Sequence, residues 1–140
     1  MTRRAAETNG RLAEHFAAIT LQLSGYVILG RRVKTRRGEI DLIARRGKVL
    51  AFIEVKMRNK FIETGEILRT TQMSRIVAAA TGWASARNWA NNCIWRYDVL
   101  IIYPWRWPLH IRDAWRPQSD PTLERVSRRN NVSGVKQRQI

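Results

Sequence analysis

Three acids and a lysine are the residues best placed for chemistry, because they occur as two closely spaced pairs, Glu39-x-Asp41 and Glu54-x-Lys56. Both pairs lie in segments that alternate like β-strands, where residues two apart share one face. Several carboxylates on one face repel each other and need a cation or a shared proton. Oxygen-only ligands favour a hard divalent ion, Mg²⁺ or Mn²⁺, over zinc. Such an ion would activate a water that Lys56 could orient, so the pattern indicates phosphodiester hydrolysis.

The register of the two strands decides how close the acids come. A two-residue turn formed by Arg46 and Gly47 would place Glu39 opposite Glu54. Asp41 would then be a diagonal neighbour of Glu54, about 7–8 Å away at Cα, and the two carboxylates could share one cation. The other face of this hairpin is expected to carry the apolar residues Ile40, Leu42, Ile53 and Val55.

A solvated hairpin face is the simpler alternative, because alternating strands routinely expose charged residues. Two observations count against it. The chain has only 11 acids, of which Glu39, Asp41 and Glu54 fall on this face, and the flanking segments are strongly apolar.

The charge of the chain points to a polyanionic partner. Its 140 residues include 26 Lys+Arg and 11 Asp+Glu, which gives a formal net charge of +15 and a pI near 11.5. Nucleic acid is the first candidate and an anionic membrane surface the second. The hydrophobic fraction of 44% is enough for the core of one domain and argues against a wholly disordered polycation.

Residue counts and motifs exclude several classes of protein. One cysteine, Cys93, permits no internal disulfide, and with His15 and His110 it cannot supply the four ligands of a structural zinc site. No apolar run approaches the ~20 residues that cross a bilayer. The sequence also contains no dinucleotide-binding, P-loop or serine-hydrolase motif. We therefore expect a cytoplasmic protein.

The spacing of apolar residues predicts the elements that position the acids. A helix from Asn9 or Gly10 to Ser24, ended by Gly25, is expected to bury Leu12, Phe16, Ile19 and Leu23. There follow strands at Tyr26–Lys34, Gly38–Arg45 and Lys48–Lys56, a loop at Asn59–Gly65, a helix at Thr71–Arg87, a strand at Ile94–Tyr103 and an edge strand at His110–Trp115. The order α-β-β-β-α-β predicts an α/β fold with a mixed sheet flanked by helices.

The composition changes near Pro117. This change predicts a domain at residues 1–116 and a basic, flexible tail at 117–140. The tail is either a nucleic-acid-binding arm or a solvated terminus.

The paired acidic motif resembles a known family. Gly38-Glu-Ile-Asp41-Leu-Ile-Ala followed by Phe52-Ile-Glu54-Val-Lys56-Met-Arg58 is similar to the YraN-type family of uncharacterised bacterial proteins. That family belongs to the restriction-endonuclease-like PD-(D/E)XK nuclease superfamily. The segments at residues 10–17 and 96–99 extend the resemblance to roughly residues 10–115. A restriction-endonuclease-like fold is implied, with Ile40 in place of the superfamily's proline.

The same resemblance implies roles for individual residues. Asp41 and Glu54 correspond to the ligands of Mg²⁺ or Mn²⁺, and Lys56 corresponds to the catalytic lysine. Glu14 corresponds to an additional carboxylate on the first helix. Gln72 stands where many members carry a lysine.

Helical geometry leaves the direction of two of these side chains open. Glu14 lies about 160° from the stripe of Leu12 and Phe16, so a one-sided helix would leave it in solvent. Gln72 either points along the sheet or is a neutral polar cap. Glu14 reaches the site only if the other side of its helix packs as well, with Gly10, Ala13, Ala17 and Leu21.

We therefore expect a metal-dependent endonuclease that acts on DNA, on branched or single-stranded substrates. The alternative is a non-catalytic nucleic-acid-binding module of the same fold, and a homodimer is possible in either case. Trp105-Arg106-Trp107 could stack on unpaired bases, although packing in the core or against another subunit is the simpler interpretation. The residues expected to bind phosphates are Arg31, Arg32, Lys34, Arg36, Arg37 and Arg58.

Overall fold

One mixed sheet of five strands carries the fold, and its elements follow the order predicted from the sequence. The computed structural model describes residues 2–59 and 70–117, and only the backbone of Ala6 and of residues 70–72. In chain order the elements are α1 (Arg3–Leu23), β1 (Val27–Thr35), β2 (Gly38–Arg46), β3 (Val49–Met57), α2 (Thr70–Ser85), a 3₁₀ helix (Asn88–Asn92), β4 (Ile94–Ile102) and β5 (Leu109–Trp115).

The strands lie side by side in chain order, and their connections set their directions. β1, β2 and β3 follow one another closely and pair antiparallel, whereas α2 separates β3 from β4, and these two strands run parallel. β5 returns antiparallel along β4 at the edge of the sheet. Val99, Leu100 and Ile101 of β4 are at most 1% exposed, so this strand is buried on both faces.

Each face of the sheet has its own apolar layer. In the α2 layer, Ile76, Ala80 and Trp83 pack with Phe52 of β3. In the α1 layer, the helix packs small residues onto the strands. Its members include Ala13, Ala17, Ala18 and Leu21 from α1 and Leu42, Ala44, Ala51, Ile53 and Leu100 from the sheet.

Helix α1 differs from its prediction in length and in the face that it buries. It begins at Arg3, well before the predicted start, and Thr2 caps it by accepting a hydrogen bond from the backbone N–H of Ala5 (3.3 Å). Gly25, at a φ of +88°, follows its end as predicted. The prediction for the buried stripe is wrong, because four of its residues are between 37% and 71% exposed: Leu12, Phe16, Ile19 and Leu23.

Small side chains explain why the other face of α1 is buried. Ala13, Ala17 and Ala18 are at most 3% exposed, and residues of this size let a helix approach a sheet closely. A Leu or Phe at these positions would hold the helix away from the strands. The packing of this side also turns Glu14 toward the sheet, with a side chain only 16% exposed.

Ile40 is a second exception to the predicted pattern. It packs in the α2 layer with Val33, its partner on β1, whereas Leu42 packs in the α1 layer. The regular alternation of β2 is therefore interrupted at Asp41. The neighbouring position on β1 is Arg32, whose φ of +47° departs from regular strand geometry.

Buried polar contacts fix the far edge of the sheet. Asp98 is 0% exposed and accepts hydrogen bonds from Arg96, from His110 and from the backbone N–H of Asp113, at 2.8–2.9 Å. Burial alone would raise the pKa of Asp98, but these hydrogen bonds outweigh it and lower the pKa. Arg96 also donates to the hydroxyl of Tyr26, so the same network connects β4 and β5 to the segment that follows α1.

None of the described helices is long and apolar enough to cross a bilayer. The predicted loop at Asn59–Gly65 and the predicted tail at 117–140 lie almost entirely outside the described residues. The domain boundary at residue 116 therefore stays a prediction.

The reversed packing of α1 predicts opposite effects for two neighbouring substitutions. Ala17→Leu should lower the free energy of unfolding by about 1–3 kcal/mol, because added methylenes overpack a buried site. Phe16→Ala should change it by less than about 1 kcal/mol, because Phe16 is 55% exposed. Urea unfolding followed by circular dichroism measures both effects. A larger loss for Phe16→Ala than for Ala17→Leu would contradict this packing.

Candidate active site

Strands β2 and β3 bring Asp41 and Glu54 together. The turn between them consists of Gly47 and Lys48, not of Arg46 and Gly47 as predicted. The register therefore differs by two residues, and the ladder ends at the pair of Leu42 and Ile53, so Asp41 and Glu54 are the next residues beyond its last pair. The predicted register is wrong, but the two acids still lie together, because Glu54 makes a side-chain hydrogen bond with Asp41.

The two carboxyl groups form a close and largely buried pair. Asp41 Oδ2 accepts a hydrogen bond from the backbone N–H of Val55 (2.8 Å), and Glu54 is only 8% exposed. The pKa of Asp41 is raised to about 7. Burial is the largest cause, and the negative charge of Glu54 is the second. Near neutral pH the pair therefore shares a proton or needs a cation.

Lys56 lies next to this pair. Its Nζ is 3.2 Å from Glu54 Oε1, and the two side chains are 17% and 11% exposed. An ammonium group has three donors, so it can contact a carboxylate and an oxygen of water or phosphate at the same time.

Glu14 approaches the same region from α1. Burial raises its pKa, Arg32 acts in the opposite direction, and the nearby charges of Asp41 and Glu39 raise it further. Of the two directions that the sequence left open, Glu14 takes the one that points to the acidic pair, because the alanine side of α1 is buried.

Arg32 is the residue at this site that the sequence did not indicate. Its Nε donates to Glu14 Oε2 at 2.6 Å. On β1 it lies between Arg31, which pairs with Leu42, and Val33, which pairs with Ile40, so it is next to Asp41 of β2. A positive φ costs a non-glycine residue roughly 1–2 kcal/mol, so the surrounding structure must hold Arg32 in place. The sequence predicts only phosphate binding for Arg32, since no pattern marks a positive φ at an arginine.

The other predicted residues lie around the site or away from it. Arg31, Lys34, Arg36 and Arg37 are exposed on β1 and on the turn that follows it. Arg58 follows β3, where its backbone N–H donates to Ile102 O and its guanidinium to Met57 O. Gln72 belongs to the first turn of α2, but its side chain is outside the described part of the chain.

Trp105 and Trp107 are 57% and 65% exposed, so they do not fill the core, and a contact with another subunit and stacking on bases both stay predictions. The indole Nε1 of Trp105 donates to Asn59 O at 3.2 Å. This contact holds the segment between β4 and β5 against the segment that follows β3.

The acidic pair has the donor chemistry of a site for a hard metal ion. Asp41 and Glu54 offer carboxylate oxygens, and Mg²⁺ is commonly bound by one or two carboxylates together with waters and substrate oxygens. Among the residues at 2–59 and 70–117, no group of three Asp, Glu, His or Cys side chains converges to form a metal site. These two residues would therefore hold an ion together with water and substrate.

The raised pKa of Asp41 predicts a titration near neutral pH in the metal-free protein. Glu54→Gln should lower that pKa, because it removes the neighbouring negative charge. Carbon-13 NMR of the side-chain carboxyl groups, recorded with EDTA present, measures both values. Glu7→Gln is the matched control, since Glu7 is exposed on α1 and should leave the titration unchanged. A wild-type value near the usual 3.8 would contradict the burial of this carboxyl.

The same shift predicts how stability depends on pH. The folded-state pKa of Asp41 lies above its unfolded value, so its contribution is present below about pH 4 and is lost as the pH rises toward 7. Asp41→Asn should therefore stabilise the metal-free protein at pH 8 by about 1–3 kcal/mol, because the amide keeps an acceptor for Val55 without the charge. Urea unfolding at pH 4 and pH 8 tests this. Equal effects of the substitution at both pH values would contradict it.

Comparison with known proteins identifies the family. The model of the uncharacterised protein family UPF0102 matches residues 13–102. A UPF0102 protein of Maricaulis maris is 44% identical over 82% of this chain and 91% of its own length. Another, from Sinorhizobium medicae, is 44% identical over 76% of this chain and 87% of its own length.

A solved structure has a similar fold. Hjc of Archaeoglobus fulgidus, a Holliday junction resolvase from an archaeal hyperthermophile, matches with a TM-score of 0.50 over 71% of this chain and 72% of that chain, at 19% identity. This likeness confirms the restriction-endonuclease-like fold. The family match confirms the resemblance found in the paired acidic motif, and the chain belongs to the uncharacterised protein family UPF0102, the YraN family.

Proposed function

We propose that this protein is a divalent-metal-dependent endonuclease that hydrolyses phosphodiester bonds in DNA. The observation that carries the proposal is the close pair of Asp41 and buried Glu54 on neighbouring strands, with Lys56 Nζ 3.2 Å from Glu54. A buried acidic pair is out of character for a chain with a net charge of +15, and it supplies the ligands that Mg²⁺ or Mn²⁺ prefers.

Each residue of the site has a distinct role in this proposal. Asp41 and Glu54 hold the metal ion, which when bound polarises a phosphoryl oxygen and lowers the pKa of a water. Lys56 donates to the attacking water or to a phosphate oxygen and offsets the negative charge of the transition state. Glu14 accepts hydrogen bonds from water at the site, and Arg32 fixes its direction through the 2.6 Å contact.

The basic surface beside the site binds the DNA backbone in this proposal. Arg31, Lys34, Arg36 and Arg37 are exposed on β1 and its turn, on the hairpin that carries Asp41. Phosphate contacts of this kind release counterions, so affinity should fall steeply with salt. The likeness to a Holliday junction resolvase supports branched DNA as the first substrate to test, with single-stranded DNA as the second.

Cleavage of a DNA panel tests the proposal. Four-way junction, forked, single-stranded and duplex DNA are incubated with the protein and Mg²⁺, Mn²⁺ or Ca²⁺. Asp41→Asn, Glu54→Gln and Lys56→Met should each lower the cleavage rate by at least about 100-fold, with Glu14→Gln smaller at about tenfold. DNA affinity should remain, because the basic surface is unchanged.

Glu7→Gln serves as the control for Glu14→Gln, since it removes a carboxylate from the exposed side of the same helix. It should cleave like the wild type. Wild-type cleavage that all four site variants match would contradict the assignment of these residues, and no cleavage with either Mg²⁺ or Mn²⁺ would contradict the endonuclease.

A second candidate is a nucleic-acid-binding module without turnover. The observation that favours it is the absence of a three-residue metal site among the described residues, beside a strongly basic surface. Salt-dependent DNA binding by wild type and Asp41→Asn alike, with no cleavage by either, would support it. A flat salt dependence would exclude both candidates. The homodimer stays a prediction, which light scattering of the purified protein would check.

A further inference from the structure

A groove of about 570 Å³ lies over α2, apart from the acidic pair. Its floor is apolar, with Met73 and Val77 of α2 packed partly into the core beneath it. Thr81 lies one helical turn further along the same side, and Trp115 of β5 contributes to the wall. The volume is in the range of sites that hold small organic ligands or one unit of a polymer.

Two arginines from distant parts of the chain border this groove. Arg37 comes from the turn between β1 and β2, and Arg116 follows β5. The turn that carries Arg37 is pressed onto α2, because a Cβ on Gly38 would lie 3.0 Å from Arg75 O. None of the described residues that line the groove is acidic. The groove thus combines an apolar floor with positive charge at its border.

The wall of the groove also contains a buried tryptophan. Trp115 is 8% exposed, and its indole Nε1 is buried with no hydrogen-bond partner among the residues that the structure describes. Arg116 already donates to Asp113 Oδ2, at 2.8 Å from Nη2, in a largely exposed pair.

We infer that this groove binds an unpaired nucleotide, with the base on the apolar floor and flanking phosphates on Arg37 and Arg116. A base offers a flat apolar face that matches the floor, and the flanking phosphates match the two arginines in charge. The inference rests on the proposed function for the identity of the ligand as DNA. Bases of a duplex are paired and stacked, so duplex DNA offers the arginines only its phosphates.

One strand of DNA can contact both the groove and the acidic pair. Arg37 and Asp41 are four residues apart on one hairpin, about 13 Å at ~3.3 Å per residue of strand. A single strand covers that distance in a few nucleotides. The groove therefore selects substrates that have unpaired nucleotides close to the bond cleaved at Asp41 and Glu54.

Filling the groove without changing its charge is the first test. Thr81→Trp should weaken binding of a fluorescein-labelled single-stranded oligothymidylate by about 5- to 10-fold and binding of the matching duplex by less than about twofold. Fluorescence anisotropy in EDTA measures both affinities without turnover. Ser85→Trp is the matched control, because it adds the same side chain to an exposed position of the same helix outside the groove.

Charge at the border is the second test. Arg37→Ala and Arg116→Ala should each weaken single-strand binding by about 3- to 10-fold and lower the slope of log affinity against log salt by about 0.7. Lys48 lies in the turn between β2 and β3, at the other end of β2 from Arg37. Lys48→Ala removes one charge outside the groove and should have less than a twofold effect. The slope distinguishes a lost phosphate contact from a general loss of stability.

A variant that should bind single-stranded DNA more tightly is the third test. Asp113→Asn should tighten single-strand binding by about two- to threefold, because it releases Arg116, while asparagine tolerates the φ of +52° at this position. Glu7→Gln breaks the comparable exposed pair with Arg3 on α1 and should leave the affinity unchanged.

The outcomes separate this inference from the proposed function. Wild-type cleavage of DNA together with unchanged single-strand binding in Thr81→Trp and Arg116→Ala would overturn the groove and leave the endonuclease intact. Equal losses for single-stranded and duplex DNA in Thr81→Trp would also overturn it. A wild-type protein that binds neither DNA would overturn both.

Discussion

The closeness of Asp41 and Glu54 is the constraint on which the rest of the structure depends. Two carboxyl groups that lie close together on neighbouring strands repel, and burial makes their ionised forms still less favourable. The apolar layers on both faces of β3 supply the stability that holds the pair in place. Lys56 beside Glu54, and Arg32 beside Glu14, place positive charge where these acids meet.

Helix α1 is packed to serve this site rather than to bury the most apolar surface. Burying Leu12 and Phe16 would remove more apolar area from water than burying Ala13 and Ala17 does. It would also turn Glu14 about 160° away from the sheet, into solvent. The alanine face lets the helix approach the strands closely. As a result, the apolar stripe of Leu12, Phe16, Ile19 and Leu23 stays exposed.

Local patterns in the sequence were sufficient for the element order and for placing Asp41 and Glu54 on neighbouring strands. A register shift of two residues keeps the parity of the paired residues, so the error in the turn left their faces unchanged, but the interruption at Asp41 was not predictable. The register itself was not predictable, because either two-residue turn containing Gly47 fits the same alternation. The direction of Glu14 depends on which of two helix faces packs, and the positive φ of Arg32 depends on its surroundings. Both are tertiary effects without a local signal.

Some basic residues of the chain are paired with acids inside the protein, and others are exposed where the proposed function places DNA. Arg96 is paired with buried Asp98 and Arg32 with Glu14, so part of the +15 is committed inside the protein. Net charge therefore overstates the number of phosphate contacts. The exposed arginines of β1 lie beside the acidic pair, and Arg37 lies where that surface meets the groove over α2. A strand bound along β1 passes from the acidic pair toward the groove, because one hairpin carries Asp41 in its strand and Arg37 in its turn.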